Sequence, residues 1–111
     1  MHELALARSI ERIVLRAAGG RVVKQVNVDV GALRQVVAPT LINCWSFVRS
    51  GNLGSAELSV NLIPAVISCK ACLSKTRLQS PALYCGTCGS REVAVTSGDE
   101  FVVASIDVEG A

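Results

Sequence analysis

Two short stretches decide how this chain is built: Cys69-Lys-Ala-Cys72 and Cys85-Gly-Thr-Cys88-Gly89, with twelve residues between them. A two-residue gap puts two sulfurs on one tight turn, where both can reach a single ion. Gly86 and Gly89 let the backbone bend toward those sulfurs. Two such turns predict a tetrahedral S₄ site with no open position, the closed kind that holds structure and does not catalyse. Cys69, Cys72, Cys85 and Cys88 are therefore expected to bind one structural Zn²⁺. A rubredoxin-like iron or an iron–sulfur cluster could use the same four thiolates, but Cys₄ ribbons of this type most commonly hold zinc. A redox role would need only one C-x-x-C pair, and neither lies in a thioredoxin-like βαβ context.

Around the knuckles, from Ser68 to about Ser97, apolar periodicity gives way to cysteine, glycine, serine and threonine. So few apolar residues cannot build a core, so a metal must supply the folding energy of this stretch. On either side the periodicity is regular. Residues 3–18 read as an amphipathic helix with Leu6, Ile10, Ile13, Val14 and Ala17 at helical spacing, stopped by Gly19-Gly20. Residues 21–30 alternate, with Val22, Val26, Val28 and Val30 inward. Pro39 opens a second helix whose stripe is Leu41, Cys44, Trp45 and Val48. Residues 55–63 alternate again around Ala56, Leu58, Val60 and Leu62. Residues 100–108 do so around Val102, Ala104, Ile106 and Val108.

The last strand has nothing to pair with unless it returns to the first sheet. The expected fold is α+β: a three-stranded mixed sheet packed by two helices, with an inserted Cys₄ zinc ribbon. Residues 1–66 and 98–111 form one discontinuous α/β domain on this reading, and 67–97 the ribbon. Cys44, on the apolar stripe beside Trp45, reads as a small core residue.

With 111 residues, 50% apolar and 18% charged, the chain has the composition of a folded domain and not of a disordered one. No apolar run approaches the roughly 20 residues of a membrane span. Glu3, Arg8, Glu11 and Arg12 interrupt any signal-like segment at the N-terminus. A cytoplasmic, membrane-free protein is expected, in which paired knuckles bind metal and do not form disulfides. The formal charge is +2 with every cysteine neutral. Four thiolates and one divalent ion together add two negative charges, so the metal-bound protein is near neutral. Nucleic-acid binding gains no support from that balance.

The one histidine is His2, followed by Glu3. Read alone, this is a frayed terminus with an acid favouring the helix dipole. Position 2 nonetheless has a specific chemistry. Imidazole, backbone amide and the Met1 amine can close fused chelate rings in one plane, which suits Ni²⁺ or Cu²⁺ better than tetrahedral Zn²⁺.

The opening Met1-His2-Glu3-Leu4, the glycine turn within Val28–Leu33, the paired knuckles and the closing Ser97-Gly98-Asp99-Glu100 occur in order along nearly the whole chain. In this combination the sequence resembles the HypA/HybF family of nickel metallochaperones for NiFe-hydrogenase maturation. The resemblance implies that His2 is the principal nickel ligand, with the Met1 amine, nearby amides and Glu3 completing or supporting the site. It also implies two partners, a nickel-handling maturation GTPase and, as final recipient, the NiFe-hydrogenase large subunit. A homodimer is a candidate assembly that the sequence does not decide. Relatives in some organisms also serve urease. Two departures stand out. Arg34-Gln35-Val36-Val37-Ala38 lacks the acidic residue many relatives carry there, and the ribbon has no histidine beside its cysteines.

The rival reading is a zinc-ribbon module that binds nucleic acid or protein. Against it stand the sparse Lys70, Lys75, Arg77 and Arg91, with only Tyr84 as a stacking surface. An enzyme is disfavoured: a lone histidine comes with no paired-carboxylate motif, no phosphate loop and no nucleophile–base pair.

Overall fold

The structure is a computed structural model and describes residues 2–110. Its contacts divide the chain into two compact units, one of residues 1–29, 36–61 and 102–111, the other of 30–35 and 62–101.

The first unit opens with helix α1 (His2–Ala18), which carries Glu3 in its first turn and Arg16 in its last, both favourable to the helix dipole. Its buried stripe is Ala7, Ile10, Val14 and Ala18. This face is rotated from the one hydrophobicity alone suggests: Ile13 is 49% exposed, and two alanines take its place. Small side chains let a neighbouring backbone approach closely, and α1 packs against α2 (Ala38–Val48). In α2, Leu41, Trp45 and Val48 are buried, whereas Cys44 is only half-buried. The Trp45 indole N–H donates to the Ala56 carbonyl at 2.8 Å, and the Arg49 guanidinium donates to the same oxygen at 2.7 Å. That shared acceptor fastens the end of α2 to the residue preceding β2 (Glu57–Ile63) and leaves the buried indole satisfied.

The main sheet is mixed, in the order β2-β1-β6, with β1 spanning Val23–Gly31 and β6 Phe101–Val108. The Gly31 N–H donates to the Glu100 carbonyl at 2.7 Å and the Glu109 N–H to the Val22 carbonyl at 2.8 Å. The start of one strand thus lies beside the end of the other, so β1 and β6 are antiparallel. In a mixed sheet β2 must then run parallel to β1, with α2 in the crossover between them. Central β1 buries Val23, Val26, Val28 and Val30. Val23, not Val22, is the first inward residue, because Val22 precedes the strand. The flanking strands depart further from simple alternation. Ala56 and Leu58 are buried as expected, but Leu62 is 57% exposed. In β6, Val102 is 52% exposed and Ala104 is also exposed, while Phe101, Val103, Ile106 and Val108 are half-buried. β6 is an edge strand whose two-residue period breaks once midway, so neither apolar face is fully covered.

The second unit contains a smaller sheet, β4-β3-β5, of β3 (Val66–Cys69), β4 (Lys75–Arg77) and β5 (Val93–Ser97). Both pairings are antiparallel, with Ile67 opposite Thr76 on one side and Val95 on the other. Apart from Val30, Gly31 and Gly98, its buried residues are Ala65, Ile67, Cys69 and Cys85, so two of its few core side chains are sulfurs. The glycines of two sequence motifs meet here. A Cβ on Gly31 would lie 2.1 Å from the Gly98 carbonyl carbon, and one on Gly98 would lie 2.4 Å from the Ala65 Cα. Leu33 N–H donates to the Gly98 carbonyl at 2.8 Å. Backbone packs on backbone at this crossing, which only glycine permits.

Candidate metal centres

The two knuckles are built alike. In the first, the Cys69 N–H donates to the Ser74 carbonyl at 2.9 Å and the Leu73 N–H returns to the Cys69 carbonyl at 3.1 Å. In the second, the Cys85 N–H donates to Ser90 at 2.8 Å and the Gly89 N–H returns to Cys85 at 2.9 Å. Each closed turn aims two further amides at its leading sulfur. Ala71 and Cys72 N–H point at Cys69 Sγ (3.3 and 3.4 Å), and Thr87 and Cys88 N–H at Cys85 Sγ (3.4 and 3.5 Å). The leading sulfurs are buried and the trailing ones, Cys72 and Cys88, are exposed. The Gly86 N–H donates to the Thr76 hydroxyl at 3.0 Å, which ties the second knuckle to β4.

The four sulfurs lie within 4.8 Å of one another. Cys69 and Cys88 Sγ are 3.7 Å apart and Cys72 and Cys85 Sγ 3.6 Å. A disulfide would need about 2.05 Å. The edge of an MS₄ tetrahedron with metal–sulfur bonds of about 2.3 Å is about 3.8 Å, so the donor set fits one tetrahedral thiophilic ion. Charge points the same way. The Cys88 and Thr87 amides hold the Cys85 thiol down at about 6. At Cys88 the Ser90 amide also favours the thiolate, but the crowd of sulfurs, Cys69 foremost, outweighs it and pushes that thiol up to about 11. Four sulfurs this close repel one another as thiolates, and a bound divalent cation offsets half of that charge.

The N-terminal turn is a different kind of site. α1 begins at His2, so the first N–H groups of the helix have no carbonyl four residues earlier to bond. The His2 side chain is 55% exposed, and its Nδ1 lies 3.5 Å from Glu3 Oε2. The same oxygen accepts the Val37 N–H at 3.1 Å. Val37 is the N-cap residue of α2 and has no side-chain cap of its own, so Glu3 braces the α2 entrance from the neighbouring helix. The Val37 amide is the main reason the Glu3 carboxyl sits below its ordinary value, with Glu3's own amide and His2 adding to it against partial desolvation. Loop 34–38, which lacks a carboxylate, thus offers the N-terminal turn a backbone N–H. The expected Met1 amine ligand lies outside the described residues. Sequence reasoning missed the Glu3–Val37 contact, which nothing local signals. It also missed Leu73, which could have been found because it follows its knuckle as Gly89 follows the other.

A profile described as "Hydrogenase/urease nickel incorporation, metallochaperone, hypA" matches residues 1–108. The hydrogenase maturation factor HypA of Rhizobium leguminosarum bv. viciae is 36% identical over 112 residues, covering 97% of this chain and 99% of that one. HypA of Chlorobium limicola is 34% identical, covering 98% and 97%. Among solved structures, the nickel metallochaperone HypA of Helicobacter pylori shares the fold with a TM-score of 0.67 at 19% identity, over 96% of both chains. A further HypA solution structure matches with a TM-score of 0.71 at 20% identity, over 100% of this chain and 98% of that one. With a four-cysteine metal cluster, a mixed sheet packed by two helices and a family profile matching nearly end to end, the chain belongs to the HypA family of hydrogenase maturation metallochaperones.

Proposed function

We propose that this chain binds Ni²⁺ at its N-terminal turn and hands it on for NiFe-hydrogenase maturation, while one Zn²⁺ is held permanently by Cys69, Cys72, Cys85 and Cys88. Residues 1–66 with 98–111 act as the nickel-binding domain and 67–97 as the zinc ribbon. The nickel ligands are the Met1 amine, the His2 amide nitrogen and the His2 imidazole, with a fourth position filled by Glu3, a neighbouring amide or water. The transfer partners are the nickel-handling maturation GTPase and the hydrogenase large subunit, in the cytoplasm.

The observation that carries this reading is the placement of His2: the only histidine stands exposed at the first residue of a helix, where backbone amides are free of intrahelical bonds. Amide, imidazole and amine then offer a planar nitrogen field, which suits Ni²⁺ and disfavours tetrahedral Zn²⁺. An ion held by one side chain at an exposed terminus can be released, as delivery requires.

The test is a nickel titration of untagged protein followed by the visible absorption of square-planar Ni²⁺. Native protein should take up one ion per chain. His2→Ala, or a two-residue N-terminal extension, should abolish the signal while leaving zinc content and helicity unchanged. Equal nickel binding by the extended protein would remove the amine from the ligand set and refute the proposed geometry.

A further inference from the structure

The outward face of α1 carries three arginines, Arg8, Arg12 and Arg16, all exposed. Spaced four residues apart, they wind slowly round the helix over about 12 Å of its length. Other arginines of the same unit work within the fold. The Arg21 Nε donates to the Ala18 carbonyl at 2.8 Å, and Arg49 to that of Ala56 at 2.7 Å. By contrast, among the described residues the only side-chain bond on the α1 face runs from Arg12 to the Ser9 hydroxyl at 3.1 Å. Among the described residues none of the three arginines stands in an ion pair. The acids of α1 do not offset them. Glu3 is committed to Val37, and Glu11 is half-buried at the flank of the buried stripe.

Apolar residues border this face: Ile13 and Leu15, 49% and 48% exposed, lie on its opposite edges, and an open depression of about 320 Å³ is lined by Ser9, Arg12, Ile13 and Arg16. Helical periodicity also brings positions seven, eleven and fourteen residues after His2 back to within about 40° of it. His2, Ser9, Ile13 and Arg16 therefore form one stripe, with the histidine at its N-terminal end.

We propose that this α1 face is the docking surface for the protein that exchanges nickel with the chain, and that it receives an acidic, apolar-studded segment of that partner. The inference rests on the nickel reading above, since it takes His2 as the ligand beside which the partner must settle. Charge complementarity selects the occupant: three guanidinium groups outside any ion pair among the described residues attract carboxylates, which they can grip through two N–H groups at once. Ile13 and the depression beside Arg12 and Arg16 accept an apolar side chain between those carboxylates. A nucleic-acid backbone would use the charges but not the exposed Ile13 and Leu15, so protein is the better match. A partner lying along the stripe meets the nickel ligand at one end, which shortens the transfer path and makes encounter faster at low salt.

The experiment measures affinity for the maturation GTPase at low and high salt, using the full untagged chain. Arg8→Gln/Arg12→Gln/Arg16→Gln keeps good helix formers at exposed positions, so the fold should persist by circular dichroism. Lys70→Gln/Lys75→Gln/Arg77→Gln removes the same charge from the ribbon unit. The α1 variant should bind at least tenfold more weakly at low salt and lose most of the salt dependence, whereas the ribbon variant should stay within about twofold of native. Nickel uptake by both should be unchanged. The docking surface is refuted by equal weakening in both variants or by native affinity in the α1 variant. It is refuted as well by a native chain that does not bind the GTPase, or by an α1 variant that loses only binding to a polyuridylate oligomer. Loss of nickel uptake in the native chain itself would instead refute the nickel reading.

Discussion

The four-cysteine cluster and the N-terminal turn put their ligands in place by opposite means. Each knuckle closes on itself through two backbone bonds and aims two amides at its leading sulfur, so backbone bonds and a bound ion hold the same turn together. At the other site one exposed imidazole hangs from the first residue of a helix, and its nearest fixed neighbour is Glu3, itself held by Val37. A site made of closed turns binds for the life of the fold. One made of a single side chain and free amides binds as long as no better ligand set is near. On the proposed function, backbone as well as side-chain identity decides which ion is kept and which is passed on.

The harshest way to break this contrast is to remove one sulfur. Structural zinc contributes on the order of 10–16 kcal/mol in small metal-stapled modules. With Ala65 and Ile67 among the few buried apolar side chains around the knuckles, nothing else there can replace it. Cys69→Ser should release the ion and disorder the knuckles. The α1–α2 pair should remain helical, since its core of Ile10, Val14, Leu41 and Trp45 does not involve the metal. Metal analysis together with amide-resolved NMR reads both outcomes. Iron in the purified protein, or ordered knuckles without metal, would overturn the zinc assignment.

How much of this was legible in the sequence follows from which interactions are local. The knuckles were legible because their donors and the bonds that shape them fall within six residues. The helices and the central strand were legible from period, and the mixed sheet from the need to pair the last strand. Period alone does not say which face is covered. Ile13 is hydrophobic and exposed, while Ala7 and Ala18 are buried, because the neighbours a helix packs against, and not hydrophobicity alone, decide which face is covered. Val102 and Ala104 alternate correctly yet lie outward on an edge strand. The Glu3–Val37 brace spans thirty-four residues of sequence and leaves no local trace.

A gentler change tests how alike the two knuckles are. Leu73 and Gly89 hold equivalent positions with φ of 65° and 78°, the left-handed region that costs a side chain about 1 kcal/mol or more. Leu73 is 82% exposed, so its side chain returns little packing. Leu73→Gly should stabilise the zinc-bound protein by about 0.5 kcal/mol after the entropy of a freer unfolded chain is deducted. Gly89→Leu should cost about 1 kcal/mol. Denaturation midpoints at fixed zinc measure both. A destabilised Leu73→Gly would mean that Leu73 contributes more through its side chain than its exposure suggests.

The smallest effect belongs to the N-terminal turn, where Glu3 serves the fold and borders the proposed nickel site at once. Its carboxyl is held below its ordinary value of 4.5, chiefly by the Val37 N–H. A folded value below the unfolded one means that the brace is fully present above the unfolded pKa and is lost as pH falls through the lower folded value. Nothing should change near neutrality. The Val37 amide resonance should therefore titrate with a midpoint below the usual glutamate range, and the first turn of α2 should loosen only under acid conditions. In Glu3→Gln the neutral side chain can still accept that hydrogen bond, but the acid titration of Val37 should disappear. If nickel binding in this variant falls only in part while the Val37 resonance stays near its native position, Glu3 works on the metal as a neighbour that orients His2. If nickel binding vanishes with the amide unmoved, Glu3 is itself a ligand. The N-terminal site would then be more closely built than its contrast with the knuckles implies.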